Sequence, residues 1–168
     1  MSFQNPVSVD GISVFNFIKT AKNKVLGQNL GFMELKEEID KYVLELDMKD
    51  ELAKRDLNIG FSGGEKKKTE ILQMLCLNPK LAILDETDSG LDVDAIKIVS
   101  KGIKMFKNTE NAVIVITHSS RILEYLDVDK VHILLNGKIV KTGNKDLIAE
   151  IEKNGYTAFK EANGDWYE

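Results

Sequence analysis

Apolar positions in the first part of the chain recur at helical spacing. Phe15, Ile18, Ala21 and Val25 share one face and predict a helix from about Ser13 to Leu26, which the stretch Gly27 to Gly31 should end. Leu35, Ile39, Val43 and Leu46, with lysines and glutamates between them, predict a second amphipathic helix. A short helix over residues 50 to 56 then leads through Asn58 and Gly60 into FSGGEKKKTEILQMLCL, read as a longer helix with a polar, glycine-containing start. After it the period changes. Leu81-Ala82-Ile83-Leu84 lies between Asn78-Pro79 and a polar run, which predicts a buried strand. Ile96, Val99, Ile103 and Phe106 mark a helix beginning near Asp92 or Asp94, and Ala112 to Ile116 reads as a second buried strand. Further on come a short helix over Ser119 to Leu126 and a hairpin whose strands, Val131 to Leu135 and Ile139 to Lys141, flank Asn136-Gly137. Asn144 can cap a final helix that Asn154-Gly155 stops, and the tail through Trp166 carries no firm pattern.

A strand, helix, strand run of this length implies parallel strands joined by a right-handed crossover, hence an α/β fold. Its consequence is positional: Asp85, Glu86 and His118 all follow the C-terminal ends of the two strands, the edge where ligands bind in open α/β sheets. The 168 residues suffice for one domain that buries roughly two thirds of its unfolded surface. With 43% hydrophobic and 30% charged residues the composition is that of an ordinary globular chain. A net charge of −4 leaves no basic excess for a nucleic-acid footprint. No apolar run approaches a bilayer span, and the first residues lack a signal-peptide pattern, so a cytoplasmic setting is expected. The single cysteine, Cys76, sits among Ile71, Leu72 and Leu75 and reads as a core residue.

The chemistry concentrates in residues 61 to 94. Ser62-Gly63-Gly64-Glu65 is a capping box, in which the Ser62 hydroxyl serves the Glu65 amide and Glu65 reaches back. The two glycines strip side chains from the first turn, so unpaired amides at a positive helix end can approach an anion such as phosphate. Asp85-Glu86 at the strand tip suits a hard cation such as Mg²⁺ and a water to be activated. Ser89-Gly90-Leu91-Asp92 follows directly, with Asp92 placed to cap the next helix. Lys66, Lys67 and Lys68 read as a solvated face, with a bolder alternative in which Lys67 pairs with Glu86 in a resting state. His132, inside a hairpin strand, reads as structural.

These motifs resemble those of ABC-type ATPases. FSGGEKK resembles their signature motif, LAILDE the Walker B strand, SGLD the D-loop, ITHSS the H-loop with its switch histidine, and Gln4 in MSFQNP the Q-loop glutamine. Within that group the chain is similar to the SufC family, the ATPases of the SUF iron–sulphur cluster assembly system. Transporter ATPases usually carry Gln where Glu65 stands and Pro where Thr87 stands, and the likeness runs on through DETDSGLDVDA, HSSRILEYL, VHILLNGKIVKTG and Asn154 to Tyr156.

The resemblance implies a P-loop NTPase-like α/β fold, a parallel-sheet core with a helical subdomain. Residues 1–60 would form the Q-loop and helical subdomain, and residues 61–168 the C-terminal part of the core. It implies ATP and Mg²⁺, with Asp85 and Gln4 toward the metal, Glu86 as base for the attacking water and His118 on the γ-phosphate. Ser62, Gly63, Gly64 and Glu65 would serve a nucleotide held by a second ATPase subunit, with Asp92 at the dimer seam. SufB/SufD-like scaffolds would be the partners, contacted through the surface of residues 10 to 57. No G-x-x-x-x-G-K-[ST] occurs in the sequence, so the Walker A loop is missing. The expectation is therefore an N-terminally truncated ATPase that binds ATP weakly on its own, whether through a truncated gene model, a split gene or a deliberate fragment. Two rivals stay open, a transporter ATPase and a non-hydrolysing dimerisation or scaffold-binding module.

Overall fold

A computed structural model describes residues 1–27, 29, 31–156 and 159 of the protein. The chain divides into two compact units, Met1–Tyr125 and Leu126–Glu168.

The first unit begins with Ser2, which bridges to Leu84 in parallel, and a segment over residues 7 to 14 that runs against residues 55 to 58. That pairing is fixed by Val9 N–H to Leu57 O at 2.9 Å and Leu57 N–H to Ile12 O at 2.9 Å. The Asn58 amide adds a bond to Val7 O at 2.7 Å. Helix α1 (Val14–Leu26) is capped by Ser13, whose side chain accepts from the Asn16 amide, and ends at Gly27 with φ 64°. Its inward stripe is Val14 and Ile18, while Val25, predicted on that stripe, is exposed at the last turn. Helix α2 (Phe32–Glu45) buries Leu35, Ile39 and Val43, and a 3₁₀ turn (Asp50–Lys54) stands where a short helix is predicted. Helix α3 (Gly63–Leu77) packs against both α1 and α2.

Strand β1 (Leu81–Asp85), helix α4 (Val93–Phe106) and strand β2 (Ala112–Ile116) form the predicted parallel unit, with Leu81 opposite Ala112 and Asp85 opposite Ile116. The strands are not buried on both faces as their apolar runs suggest. Ala82 and Leu84 are buried, whereas Leu81, Ile114 and Ile116 are exposed. The reason is that an apolar run reports hydrophobicity but not coverage, and among the described residues β2 pairs only with β1. Helix α4 closes over α3, and the short helix α5 (Arg121–Glu124) follows β2.

In the second unit, strands β3 (Val131–Leu135) and β4 (Lys138–Gly143) form an antiparallel hairpin across Asn136 (φ 48°) and Gly137 (φ 76°), as the two-residue turn requires. A register shift falls between Ile133 and Leu134. His132 pairs across the strands with the Thr142 hydroxyl at 2.8 Å, a structural role as predicted. Helix α6 (Asp146–Asn154) starts two residues after Asn144, whose side chain accepts from the Asp146 amide at 3.1 Å. Ile133, Leu147 and Phe159 make this unit's small core. Trp166 and the rest of the tail lie outside the described residues.

Candidate functional site

The sheet edge gathers the acids and the histidine. Asp85 ends β1, and its amide donates to Ser2 O at 3.2 Å. Glu86 follows with φ 45°, a left-handed conformation uncommon for a residue with a side chain, while its own amide donates to Ile116 O at 2.8 Å. This twist turns the carboxylate off the strand and across the tip of β2. Gln4 Nε2 donates to Glu86 Oε2 at 2.6 Å. On the other side, His118 Nδ1 lies 3.3 Å from Glu86 Oε1, and the His118 side chain is 70% exposed. Gln4, Glu86 and His118, spread over the sequence, thus meet at one carboxylate.

The turn after Glu86 is tied to the histidine loop. Thr117 Oγ1 donates to Asp88 Oδ2 at 3.0 Å and accepts from the Ser119 amide at 2.9 Å. Asp88 is buried, so a largely desolvated hydrogen bond joins the two strand tips. Gly90, with φ 73°, closes the turn, and Asp92 Oδ1 caps α4 through the Ala95 amide at 2.7 Å.

The start of α3 is a complete capping box. The Ser62 side chain accepts from the Glu65 amide at 3.3 Å, and Glu65 Oε2 accepts from the Ser62 amide at 2.8 Å. That backbone donor is the main reason the Glu65 carboxyl is held below its ordinary pKa. Gly63 and Gly64 have no positive φ. A Cβ on Gly63 would meet nothing within 4 Å, and one on Gly64 would meet only Leu91 Cδ2 at 3.8 Å. Packing inside the chain therefore demands neither glycine, and the bare first turn stays open to an approaching guest. A cleft of about 300 Å³ lies beside it, lined by Gln4, Asn5, Pro6, Gly63, Lys66, Lys67 and Ser89.

Two expectations about the lysines are corrected. Lys67 is buried, and its ammonium donates to Phe3 O at 3.1 Å and Gln4 O at 2.9 Å; it is not on a solvated face and its bonds go to carbonyls, not to Glu86. The helical period accounts for this burial, because Lys67 stands one turn before Ile71 and two before Leu75 on the buried stripe of α3. Burial pushes its pKa down. Burial likewise raises that of Glu70, one turn on, whose carboxylate receives the Ser2 hydroxyl and the Phe3 amide. Neither Glu70 nor Ser2 carries a motif, and only the tertiary contact reveals them. Cys76 is buried as predicted.

A family profile described as ABC transporter matches residues 1–89. The chain belongs to the ABC transporter family. It is 46% identical over 167 residues to "Probable ATP-dependent transporter ycf16" of Trieres chinensis, an alignment covering 95% of this chain and 65% of that protein. It is 42% identical over 160 residues to "Probable ATP-dependent transporter SufC" of Escherichia coli (strain K12), covering 93% of this chain and 64% of that one. The likeness to SufC-type ATPases therefore extends over nearly all of this chain, which spans about 65% of the length of such relatives. Among solved structures, one described as "Structure of ATP binding subunit of ABC transporter" superposes with a TM-score of 0.71 at 23% identity, covering 94% of this chain and 66% of that one. A second, the "Dimeric structure of a post-hydrolysis state of the ATP-binding cassette MJ0796 bound to ADP and Pi", gives 0.67 at 15% identity over 84% of this chain and 60% of its own. Both carry the fold, an ABC ATPase α/β core of the P-loop NTPase kind.

Proposed function

We propose that this chain supplies the water-activating and signature side of an ATPase site that drives iron–sulphur cluster assembly in the manner of SufC. The observation that carries this reading is the grip on Glu86, whose two carboxylate oxygens are shared between Gln4 and His118. A base held in one orientation meets the needs of phosphoryl transfer, where positioning and charge stabilisation do nearly all the work. Glu86 takes the proton of the attacking water, His118 contacts the γ-phosphate, and the bond from phosphorus to the bridging oxygen breaks to leave ADP and phosphate. Ser62, Gly63 and Gly64 receive the γ-phosphate of a nucleotide bound to a second subunit, with Glu65 holding the cap and Asp92 at the seam. The open first turn of α3 supports that role.

The donor set fits Mg²⁺. Asp85 offers a carboxylate at the strand tip, and Gln4 keeps its side-chain oxygen while its nitrogen serves Glu86. Two oxygen donors suit a cation that retains waters and phosphate ligands. When bound, the ion would neutralise charge on the transferring phosphate.

The division of labour follows the chain: residues 1–60 as the sensing and helical part, residues 61–168 as the signature, base and histidine. The phosphate cradle is not among these 168 residues, since no G-x-x-x-x-G-K-[ST] occurs in them. ATP should bind weakly to this chain alone. SufB/SufD-like scaffolds are the proposed partners and the cytoplasm, or an organellar matrix or stroma, the proposed setting. Among the described residues no helix is long and apolar enough to cross a membrane.

The test is phosphate release after a P-loop-bearing half is added in trans. Activity should appear, and Glu86→Gln should lower it by about 10²-fold or more, the usual contribution of a general base. The rival reading is a non-hydrolysing scaffold-binding module. Scaffold binding with no phosphate release would establish that reading instead.

A further inference from the structure

We infer that Lys67 and Glu70 are positioning residues that carry Gln4 to Glu86 and so join the first turn of α3 to the water-activating carboxylate. This rests on the role proposed for Glu86. Ser2 is fixed by the sheet itself, through its amide to Ile83 O at 2.8 Å and its carbonyl to the Asp85 amide at 3.2 Å. Beyond Ser2 the backbone leaves β1, and its own side chains do not anchor it: Phe3 is 53% exposed and Gln4 is exposed.

The next polar groups of that backbone go to one turn of α3. Glu70 receives the Phe3 amide at 3.2 Å and the Ser2 hydroxyl. Lys67 donates to the Phe3 carbonyl at 3.1 Å and to the Gln4 carbonyl at 2.9 Å. Taking two ionised side chains largely out of water is costly, and apolar residues of similar size would pack more cheaply. These charges serve three consecutive residues that end on Gln4.

The distance of each bond restricts Gln4 to the position from which its amide reaches Glu86 Oε2 at 2.6 Å. Lys67 lies little more than a turn from Gly63 and Gly64 on the same rigid helix, so a displacement of α3 is passed to Gln4. A phosphate seated on the first turn and the base at the strand tip are thereby mechanically linked.

Side-chain carboxamide exchange of Gln4, followed by NMR in the full chain, tests the link without any assumption about catalysis. Protection is referenced to Glu86→Ala, where the acceptor is gone. Gln4 should exchange at least about 10-fold more slowly in the parent than in that reference, as a charge-assisted bond implies. Lys67→Met, which keeps the length and removes the donor, should lose that protection while the β1–β2 amide signals persist. Ser2→Ala, a small change that frees one Glu70 oxygen, should lose about 3-fold and decides alone if Lys67→Met does not fold. Unchanged protection in the folded variants overturns the proposal.

A second arm reads phosphate release with the P-loop half in trans, where Lys67→Met should lower kcat about 10-fold and leave KM within 2-fold. Lost protection with unchanged kcat would overturn the positioning role. A parent that shows the protection pattern but releases no phosphate would defeat the ATPase reading and leave the structural link standing.

Discussion

Gly102 offers the sharpest test of how α3 is held. It lies on α4 where that helix crosses α3 and the end of α2, and a Cβ there would sit 2.4 Å from Ile71 Cγ2 and 2.9 Å from Leu46 Cδ2. Carbon atoms prefer roughly 3.5 to 4.0 Å, so the overlap with Ile71 exceeds about 1 Å. Leu46 can turn a terminal methyl aside, but Ile71 is β-branched in a helix and its χ1 is nearly locked. Both are fully buried, and the helices must therefore separate. Overpacking of this kind costs about 1–3 kcal/mol. Alanine regains about 0.5–1 kcal/mol of helix propensity over glycine. The net expectation for Gly102→Ala is a loss centred on about 1 kcal/mol and at most about 2.5 kcal/mol, read as a lower urea midpoint at unchanged m. Adding Ile71→Leu removes the branched methyl at nearly constant volume. The double variant should then recover part of the loss, with a coupling of about 1 kcal/mol between the two sites. If Gly102→Ala alone equals or exceeds the parent in stability, the close approach of α4 to α3 is wrong.

The capping box predicts both a magnitude and a pH dependence. Ser62→Ala should cost about 1 kcal/mol in the same urea assay. The Glu65 carboxyl is held below its ordinary value of 4.5 by the Ser62 backbone amide in the folded chain, so its stabilisation is present above pH 4.5 and fades as pH falls through the lower folded value. The stability gap between parent and Glu65→Ala should therefore be constant near neutrality and close below pH 4.5; a gap that persists in acid would show that the carboxylate is not the source. Burial pushes the Cys76 thiol up to about 12, which leaves almost no thiolate near neutral pH. A disulfide reagent should react with Cys76 only at the rate of unfolding, and prompt stoichiometric labelling of the native chain would contradict its burial.

Some of this protein is written locally, and those parts could be read directly. The Ser13, Ser62 and Asp92 caps need only residues within a turn of them, and the Asn136-Gly137 hairpin needs only two positive φ values. The order of strand, helix and strand also fixed which strand ends carry Asp85, Glu86 and His118. What local pattern could not supply was which partners those groups find. An apolar pentapeptide is the same string whether one or both of its faces are covered, so Ile114 and Ile116 read as buried and are exposed. A lysine among lysines reads as solvated, yet Lys67 shares the inward stripe of α3 and meets carbonyls contributed by residues 63 and 64 positions away. Gln4 stands 82 residues from Glu86, and apart from the family likeness nothing in its local sequence marks it. Hydrogen bonds between distant segments leave no periodicity behind, because each partner satisfies its own local geometry independently of the other. The elements and their caps were thus decided by the sequence, while the grip on Glu86 and the anchoring of residues 2–4 were decided by how those elements pack.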